Sequence, residues 1–232
     1  MVVPEIHSDD VSGDSSMVLR RPSPRTVLAA LSGVFGVLLV LDVLGQISGL
    51  ESAKIINLDG EITVGTWWAS IQLALASVVL LFVARRDSLL GRRAAVRALL
   101  LGAAATMYFS IDETAGVHEL LSKTLGDRNV PGFNNGSGVW LFLYTGSAIL
   151  VLTLAIPGIA SLLKTDMADA IRFAVGAGML VFGGVIVEIS GFYRETHIEV
   201  IIEETFEFLG VAVMIWAAYR MLATTEIQFR RA

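Results

Sequence analysis

The side chains best suited to chemistry stand close together in residues 110–119, whose sequence is SIDETAGVHE. This segment holds three carboxylates and one imidazole: Asp112, Glu113, Glu119 and His118. On a continuous helix, Asp112 and Glu119 lie within about 20° of each other, two turns apart. His118 follows Glu119 at about 100°, and Glu113 points about 100° to the other side. We therefore expect Asp112, His118 and Glu119 to line one side of a helix, and Glu113 to contact a different helix.

A second group of carboxylates opens the last apolar segment of the chain. Glu203 and Glu207 are four residues apart, and Glu204 and Glu207 are three apart, so all three fall within an arc of about 100°. Like charges at this spacing repel one another. In surroundings of low dielectric constant, such a row must be partly protonated or must hold a cation.

The elements that position these groups are apolar. The chain has 232 residues, of which 54% are hydrophobic and 17% charged, and its mean hydropathy is +0.69. An average soluble domain is about 45–50% apolar and about 25% charged. The excess falls in long runs, such as the 23 residues of 62–84, which is typical of a multi-pass α-helical membrane protein and not of a soluble enzyme. Cysteine is absent, which excludes disulfides, thiolate metal sites and iron–sulfur clusters.

We predict an all-α integral membrane bundle of six transmembrane helices, preceded by a flexible tail over residues 1–25 and followed by a short tail over 223–232. Two apolar runs reach the length of a span without an acid. The other four reach it only by including Asp42, or Asp112 with Glu113, or Glu188, or Glu203 with Glu207. The predicted helices cover 26–48, 62–84, 94–120, 138–160, 170–191 and 200–222.

The distribution of charge predicts the orientation. Of the 17 Lys and Arg residues, 13 fall on one side of the six spans, which the positive-inside rule assigns to the cytoplasm. That side carries 13 basic and 8 acidic residues, for a net charge of +5, and the other carries 4 basic and 14 acidic residues, for −10. We expect both termini in the cytoplasm and the loops over 49–61, 121–137 and 192–199 outside.

The carboxylates within the predicted spans share one depth. At about 1.5 Å per residue, Asp42, Asp112, Glu188 and Glu207 lie about 20–26 Å from the cytoplasmic arginines of their helices. An ionisable group at such depth costs several kcal/mol unless it faces the bundle interior, a partner or water. The spacing therefore predicts that four helices bring carboxylates together in the outer half of the bundle.

A carboxylate-rich metal centre with one imidazole suits this arrangement. In ferritin-like bundles, carboxylates and Glu-x-x-His motifs on facing helices hold two metal ions, although this chain has no Glu-x-x-His. Oxygen-rich sites favour harder ions, which are iron, manganese, calcium, or zinc with a water. We expect one or two such divalent ions, with candidate ligands Asp112, Glu113, His118, Glu119, Glu188, Glu203, Glu204 and Glu207.

Three functions follow from such a site. The first is a metal-binding membrane protein, which could be a metalloenzyme acting on a lipid or a small apolar substrate. The second is a non-catalytic subunit or scaffold that binds a membrane protein partner through its acidic outer face. The third is a proton- or cation-coupled transporter, which the charge-free segments 98–107 and 173–187 disfavour. The bilayer is the expected surrounding in each case, and no nucleic-acid partner is expected.

Individual residues also have structural interpretations. For Glu188, a salt bridge with Arg194 is as good an interpretation as a metal ligand. His197 fits a solvated face next to Glu195 and Glu199. Asp42 is equally consistent with a role at the site and with hydrogen bonding inside the first helix.

Three motifs carry a resemblance to a known family. They are Ser110-x-Asp112-Glu113 with His118-Glu119, then Gly183-Gly184 with Glu188, and finally Glu203-Glu204-x-x-Glu207-x-x-Gly210. Over about residues 100–222 the chain resembles an uncharacterised family of bacterial multi-pass inner-membrane proteins. The resemblance implies location in the bacterial inner membrane and brings no activity with it.

Overall fold

A computed structural model of the protein describes residues 22–49, 55–58, 63–126, 139–187 and 197–229. These residues are helical almost throughout. The α-helices are α1 (Pro24–Ser48), α2 (Val64–Leu89), α3 (Arg93–Ala115), α4 (Val117–Gly126), α5 (Val139–Thr165), α6 (Met167–Val181) and α7 (His197–Phe229), and a π-helical turn (Phe182–Val187) continues α6.

Five helices of the described chain are long and apolar enough to cross a membrane. They are Pro24–Ser48, Val64–Leu89, Arg93–Ala115, Phe142–Thr165 and Met167–Val187, and they correspond to the first five predicted spans. The sixth prediction falls within α7, which is not among the five. The protein is thus an all-helical bundle with the character of a membrane protein.

Local sequence explains where the helices begin and end. The Ser23 side chain accepts a hydrogen bond from the amide of Thr26 at 3.1 Å, and Pro24 follows in the first turn of α1, where a proline is tolerated. α1 ends at Gly49, whose φ of 63° lies in the left-handed region that favours glycine. Thr63 caps α2 in the same way as Ser23 caps α1, at 3.3 Å from the amide of Thr66.

Helix α7 is the centre of the bundle. It packs against α1, α2 and α6, and its buried side chains include Phe208, Val211, Ala212 and Ile215. Phe208 stacks on Phe35 of α1 with ring centroids 4.8 Å apart. Since other helices cover much of α7, this helix can carry more polar residues than a span with an exposed surface.

A buried ion-pair network closes the end of the bundle that carries the arginines, here called the basic end. Asp87 is completely buried and accepts a hydrogen bond from Arg86 Nε at 2.7 Å. Asp166, between α5 and α6, pairs with Arg86 at 3.1 Å and with Arg92 at 3.2 Å. Arg86 also donates to the backbone carbonyl of Met221 in α7. The network joins α2, the α5–α6 turn and α7.

Three of the predicted helices differ most from the structure. The predicted helix 94–120 is broken at Gly116, whose φ of 58° ends α3 and separates it from α4. The predicted fifth helix, 170–191, leaves α-geometry at Phe182, and its residues 188–191 lie outside the described chain. The last helix continues to Phe229, beyond its predicted end at 222. Of the predicted N-terminal tail, residues 1–21 lie outside the described residues.

Candidate functional site

The turn between α3 and α4 is held by Asp112 and His118. Asp112 Oδ1 accepts a hydrogen bond from the backbone amide of His118 at 2.9 Å, and Oδ2 lies 3.1 Å from His118 Nδ1. The carboxylate therefore caps the first turn of α4 and orients the imidazole at the same time. A carboxylate accepts but cannot donate, so the proton of this contact belongs to Nδ1.

This geometry changes the predicted roles of Asp112 and Glu119. The prediction that they lie on one face of a single helix is wrong, because Gly116 breaks the helix between them. Asp112 is buried and uses both oxygens on His118. Glu119 points along α4 instead, where its Oε2 lies 3.4 Å from Lys123 Nζ.

Two tyrosines that the sequence analysis did not single out lie next to this pair. The hydroxyls of Tyr108 in α3 and Tyr144 in α5 are 2.9 Å apart. The Tyr144 hydroxyl also lies within hydrogen-bonding reach of the Asp112 carboxylate. A polar chain of tyrosines, carboxylate and imidazole thus links α3, α4 and α5. The sequence carries no clear signal for it, since tyrosines near a membrane interface are common.

A small cavity lies between α2, α3, α6 and α7. Two carboxylic side chains line it, Glu113 from α3 and Glu207 from α7. This position of Glu113 is consistent with the expectation that it points to another side of the helix than Asp112. The other lining residues are apolar: Ala69, Leu73, Leu180, Phe208 and Val211. The cavity has room for a single ion or a water molecule, and not for a lipid or another organic substrate.

The π-helical turn brings its backbone against Glu207. A Cβ atom at Gly183 would lie 2.8 Å from Glu207 Cγ and 2.8 Å from the carbonyl oxygen of Glu203. A Cβ atom at Gly184 would lie 2.5 Å from Glu207 Oε1. At Gly183 the close atoms include the α7 backbone, so a side chain there would push α7 away. At Gly184 the close atom is the end of the Glu207 side chain, which a larger residue would displace from its present position. π-helical turns are rare and often lie at functional sites.

The remaining candidate ligands are placed as follows. Glu203 and Glu204 lie in α7 one turn before Glu207, partly buried, and neither is among the residues that line the cavity. Glu188 follows the π-helical turn directly and lies outside the described residues. Among the residues that the structure describes, no three His, Asp or Glu side chains are close enough together to hold a metal ion. Of the seven candidates that the structure describes, Glu113 and Glu207 are the two that line the cavity.

Two further polar contacts were missed or underrated from the sequence. Asp42 is almost completely buried, and its Oδ2 lies 3.6 Å from Nε2 of His197, which links α1 to the start of α7. Gln72 in α2 is 1% exposed, and neither its amide nitrogen nor its amide oxygen has a hydrogen-bond partner among the described residues. Gln72 is the one amide side chain in the charge-free run 62–84, so its unusual position is visible in the sequence.

Comparison with known proteins identifies the family. The chain belongs to the family described as "Domain of unknown function (DUF8692)", whose model matches residues 26–222. No curated protein and no solved structure matches the chain.

Proposed function

We propose that this protein is a multi-pass protein of the bacterial inner membrane that binds one divalent metal ion between Glu113 and Glu207. One observation supports this proposal above the others. Two carboxylic side chains from different helices line the same ion-sized cavity, and the other groups around that cavity are apolar.

The electrostatics of the cavity favour a cation. Two ionised carboxylates in an apolar site repel each other, and each also loses the solvation that water would provide. Burying the pair in the ionised form is favourable only with a positive charge between the two groups. A divalent ion supplies that charge and fits the size of the cavity.

The donor set favours an ion that prefers oxygen. Carboxylate oxygens line the cavity, and the backbone of Gly183 and Gly184 lies against Glu207. Oxygen ligands suit manganese or iron(II) better than they suit zinc, which favours nitrogen and sulfur. Glu188 is the next residue after the π-helical turn, and we propose it as a further ligand.

A shared proton is the second candidate for the cation. The described residues supply two carboxylates to the cavity, whereas iron and manganese usually take more ligands than that. A proton needs only two oxygens, and carboxyl groups that share a site commonly hold one between them. A shared proton therefore involves the same two residues as the metal ion, but the purified protein would contain no metal.

The proposed topology has six spans with both termini in the cytoplasm. The charge bias across the helices supports it, as does the antiparallel order of the long helices, since Arg86 of α2, Asp166 before α6 and Met221 of α7 meet at the basic end. Helix α7 has 33 residues and an apolar middle part, which is enough to cross a bilayer of about 30 Å.

Two other functions fit the geometry less well. The cavity is too small for a lipid substrate. Transport would need a polar route from the cavity to the basic end, and buried apolar side chains such as Val83, Leu99 and Ile215 fill that part of the bundle. No Asp, Glu, Lys, Arg or His residue lies within 64–84, 98–111 or 208–219 of the described chain.

A titration of metal-stripped protein with manganese(II) tests the proposal. We expect manganese to raise the melting temperature of the wild-type protein in detergent, and Glu113→Gln and Glu207→Gln each to abolish that rise. Glu119→Gln is the matched control, because Glu119 pairs with Lys123 and lies outside the cavity. A manganese response that survives in both cavity variants would refute the proposed ligands.

A further inference from the structure

Three exposed arginines of the basic end take no part in its buried ion-pair network. They are Arg85 in α2 and Arg93 and Arg97 in α3. None of the three has an ion pair or a side-chain hydrogen bond with another residue that the structure describes. The network uses their neighbours Arg86 and Arg92 instead, which both pair with Asp166. The exposed arginines therefore carry positive charge that no described carboxylate pairs with.

The helical repeat places these arginines on one side of the α2–α3 pair. The two helices are antiparallel and touch at Ser77 and Ala103, where the Ser77 hydroxyl donates to the Ala103 carbonyl at 2.8 Å. At about 100° per residue, Arg85 lies about 80° around α2 from Ser77. Arg93 and Arg97 lie about 80° and 120° around α3 from Ala103. Antiparallel helices wind in opposite senses when both are viewed from one end, so equal rotations away from their contact lead to the same side.

The three arginines also lie at nearly the same depth. Measured from the contact between Ser77 and Ala103 at about 1.5 Å per residue, Arg97, Arg85 and Arg93 lie about 9, 12 and 15 Å toward the basic end. The axes of packed helices are about 8–10 Å apart, and each guanidinium group sits on a stem of three methylene groups. Guanidinium groups from both helices can therefore reach one ligand in front of the pair.

The same side of the pair is apolar next to the arginines, toward the middle of the bundle. Val78 and Leu81 of α2 and Leu100 of α3 are exposed there, about 40–100° around from the contact in the same sense. They lie only about 2–6 Å below the contact, so the apolar surface comes before the arginines along both helices. In a bilayer, acyl chains would cover this surface, and the arginines would lie at the level of the headgroups.

We propose that Arg85, Arg93 and Arg97 bind the phosphate of an anionic phospholipid in the cytoplasmic leaflet. Guanidinium groups recognise phosphate through charge-assisted hydrogen bonds. Helix α3 begins at Arg93 without an acidic residue in its first turn, so the positive end of its dipole adds to the charge of the arginines. A soluble phosphate compound would match this charge but leave the apolar surface uncovered, whereas a phospholipid matches both. The cytoplasmic leaflet is rich in anionic lipid, whose headgroups bind basic sites between membrane helices.

This inference depends on the proposed topology and not on the Glu113–Glu207 site. The two proposals concern different ends of the bundle and different ligands. Metal-free protein that binds anionic lipid would therefore refute the metal site and leave the lipid site intact.

The experiment measures thermal unfolding of the full chain in detergent with added phosphatidylglycerol, phosphatidylcholine or inorganic phosphate. We expect phosphatidylglycerol alone to stabilise the wild-type protein. Arg85→Gln, Arg93→Gln and Arg97→Gln should each weaken its apparent affinity about fivefold, the contribution of one arginine near an anionic membrane surface. Without lipid, the three variants should melt like the wild type, because these side chains are exposed and have no partner among the described residues.

Arg25→Gln is the matched control, since it removes the same charge from an exposed position at the same end. Arg25 belongs to α1, which packs mainly against α7 and not against α3. We expect its phosphatidylglycerol affinity to equal that of the wild type. An equal loss of affinity in Arg25→Gln would indicate diffuse attraction to the basic end and would overturn the proposal. Equal stabilisation by phosphatidylcholine or by inorganic phosphate would also overturn it, as would unchanged phosphatidylglycerol affinity in a variant that combines Arg93→Gln and Arg97→Gln.

Discussion

The contact between the π-helical turn and α7 gives the most specific prediction, which is the effect of Gly183→Ala. The new methyl carbon would lie 2.8 Å from both Glu207 Cγ and the Glu203 carbonyl oxygen, where ordinary contacts begin at 3.4 Å. A backbone carbonyl cannot turn aside, so α7 must shift by several tenths of an ångström. Overpacking of this kind costs about 1–3 kcal/mol.

The shift should also displace Glu207 from the cavity. If the whole cost fell on cation binding, the affinity for manganese would fall by about 5- to 150-fold. Gly178→Ala is the matched control, since nothing lies within 4 Å of the corresponding Cβ position. We expect Gly178→Ala to keep its affinity and to unfold at the same or a higher temperature, because alanine is the better helix former.

Melting temperature and manganese titration of the two alanine variants, each in the same detergent, provide the assay. The same manganese affinity and the same melting temperature in Gly183→Ala as in Gly178→Ala would refute the predicted clash. Such a result would mean that α7 does not approach the π-helical turn as closely as the structure shows.

Two further predictions concern buried polar groups. Gln72→Leu should raise the free energy of unfolding by about 1 kcal/mol or more, because it removes an amide that has no partner among the described residues; a lower melting temperature would show that Gln72 has a favourable partner in the native state. Asp112→Ala should cost about 1–2 kcal/mol, since it removes the cap of α4 and the partner of His118. Limited proteolysis should then cleave near Gly116 faster than in Glu119→Ala, and equal cleavage rates would contradict the capping role.

Much of the fold follows from the sequence because lipid imposes a simple rule. Runs of about 20 apolar residues in lipid must be helical, and the excess of arginine on one side predicts their orientation. Ser23 and Pro24 also indicate the start of α1. The break at Gly116 was missed, although glycine is the usual residue at a helix end, because the apolar pattern was extended through the acids to complete a span.

The site was predictable only in part. The types and depths of the residues indicated carboxylates in one layer, and the helical spacing separated Glu113 from Asp112. Which carboxylates meet depends on helix packing, and here the glycines at 183 and 184 decide it, since they let Glu207 approach α6. The tyrosine contact with Asp112 depends on the position of α5, which no local pattern specifies.

Elemental analysis shows whether Glu113 and Glu207 hold one divalent metal ion. The measurement is the metal content per chain of protein purified in detergent without a histidine tag, alongside Glu207→Gln and Glu119→Gln. We expect about one manganese or iron ion in the wild type and in Glu119→Gln, and none in Glu207→Gln. Folded wild-type protein without metal, or equal metal content in all three proteins, would contradict it.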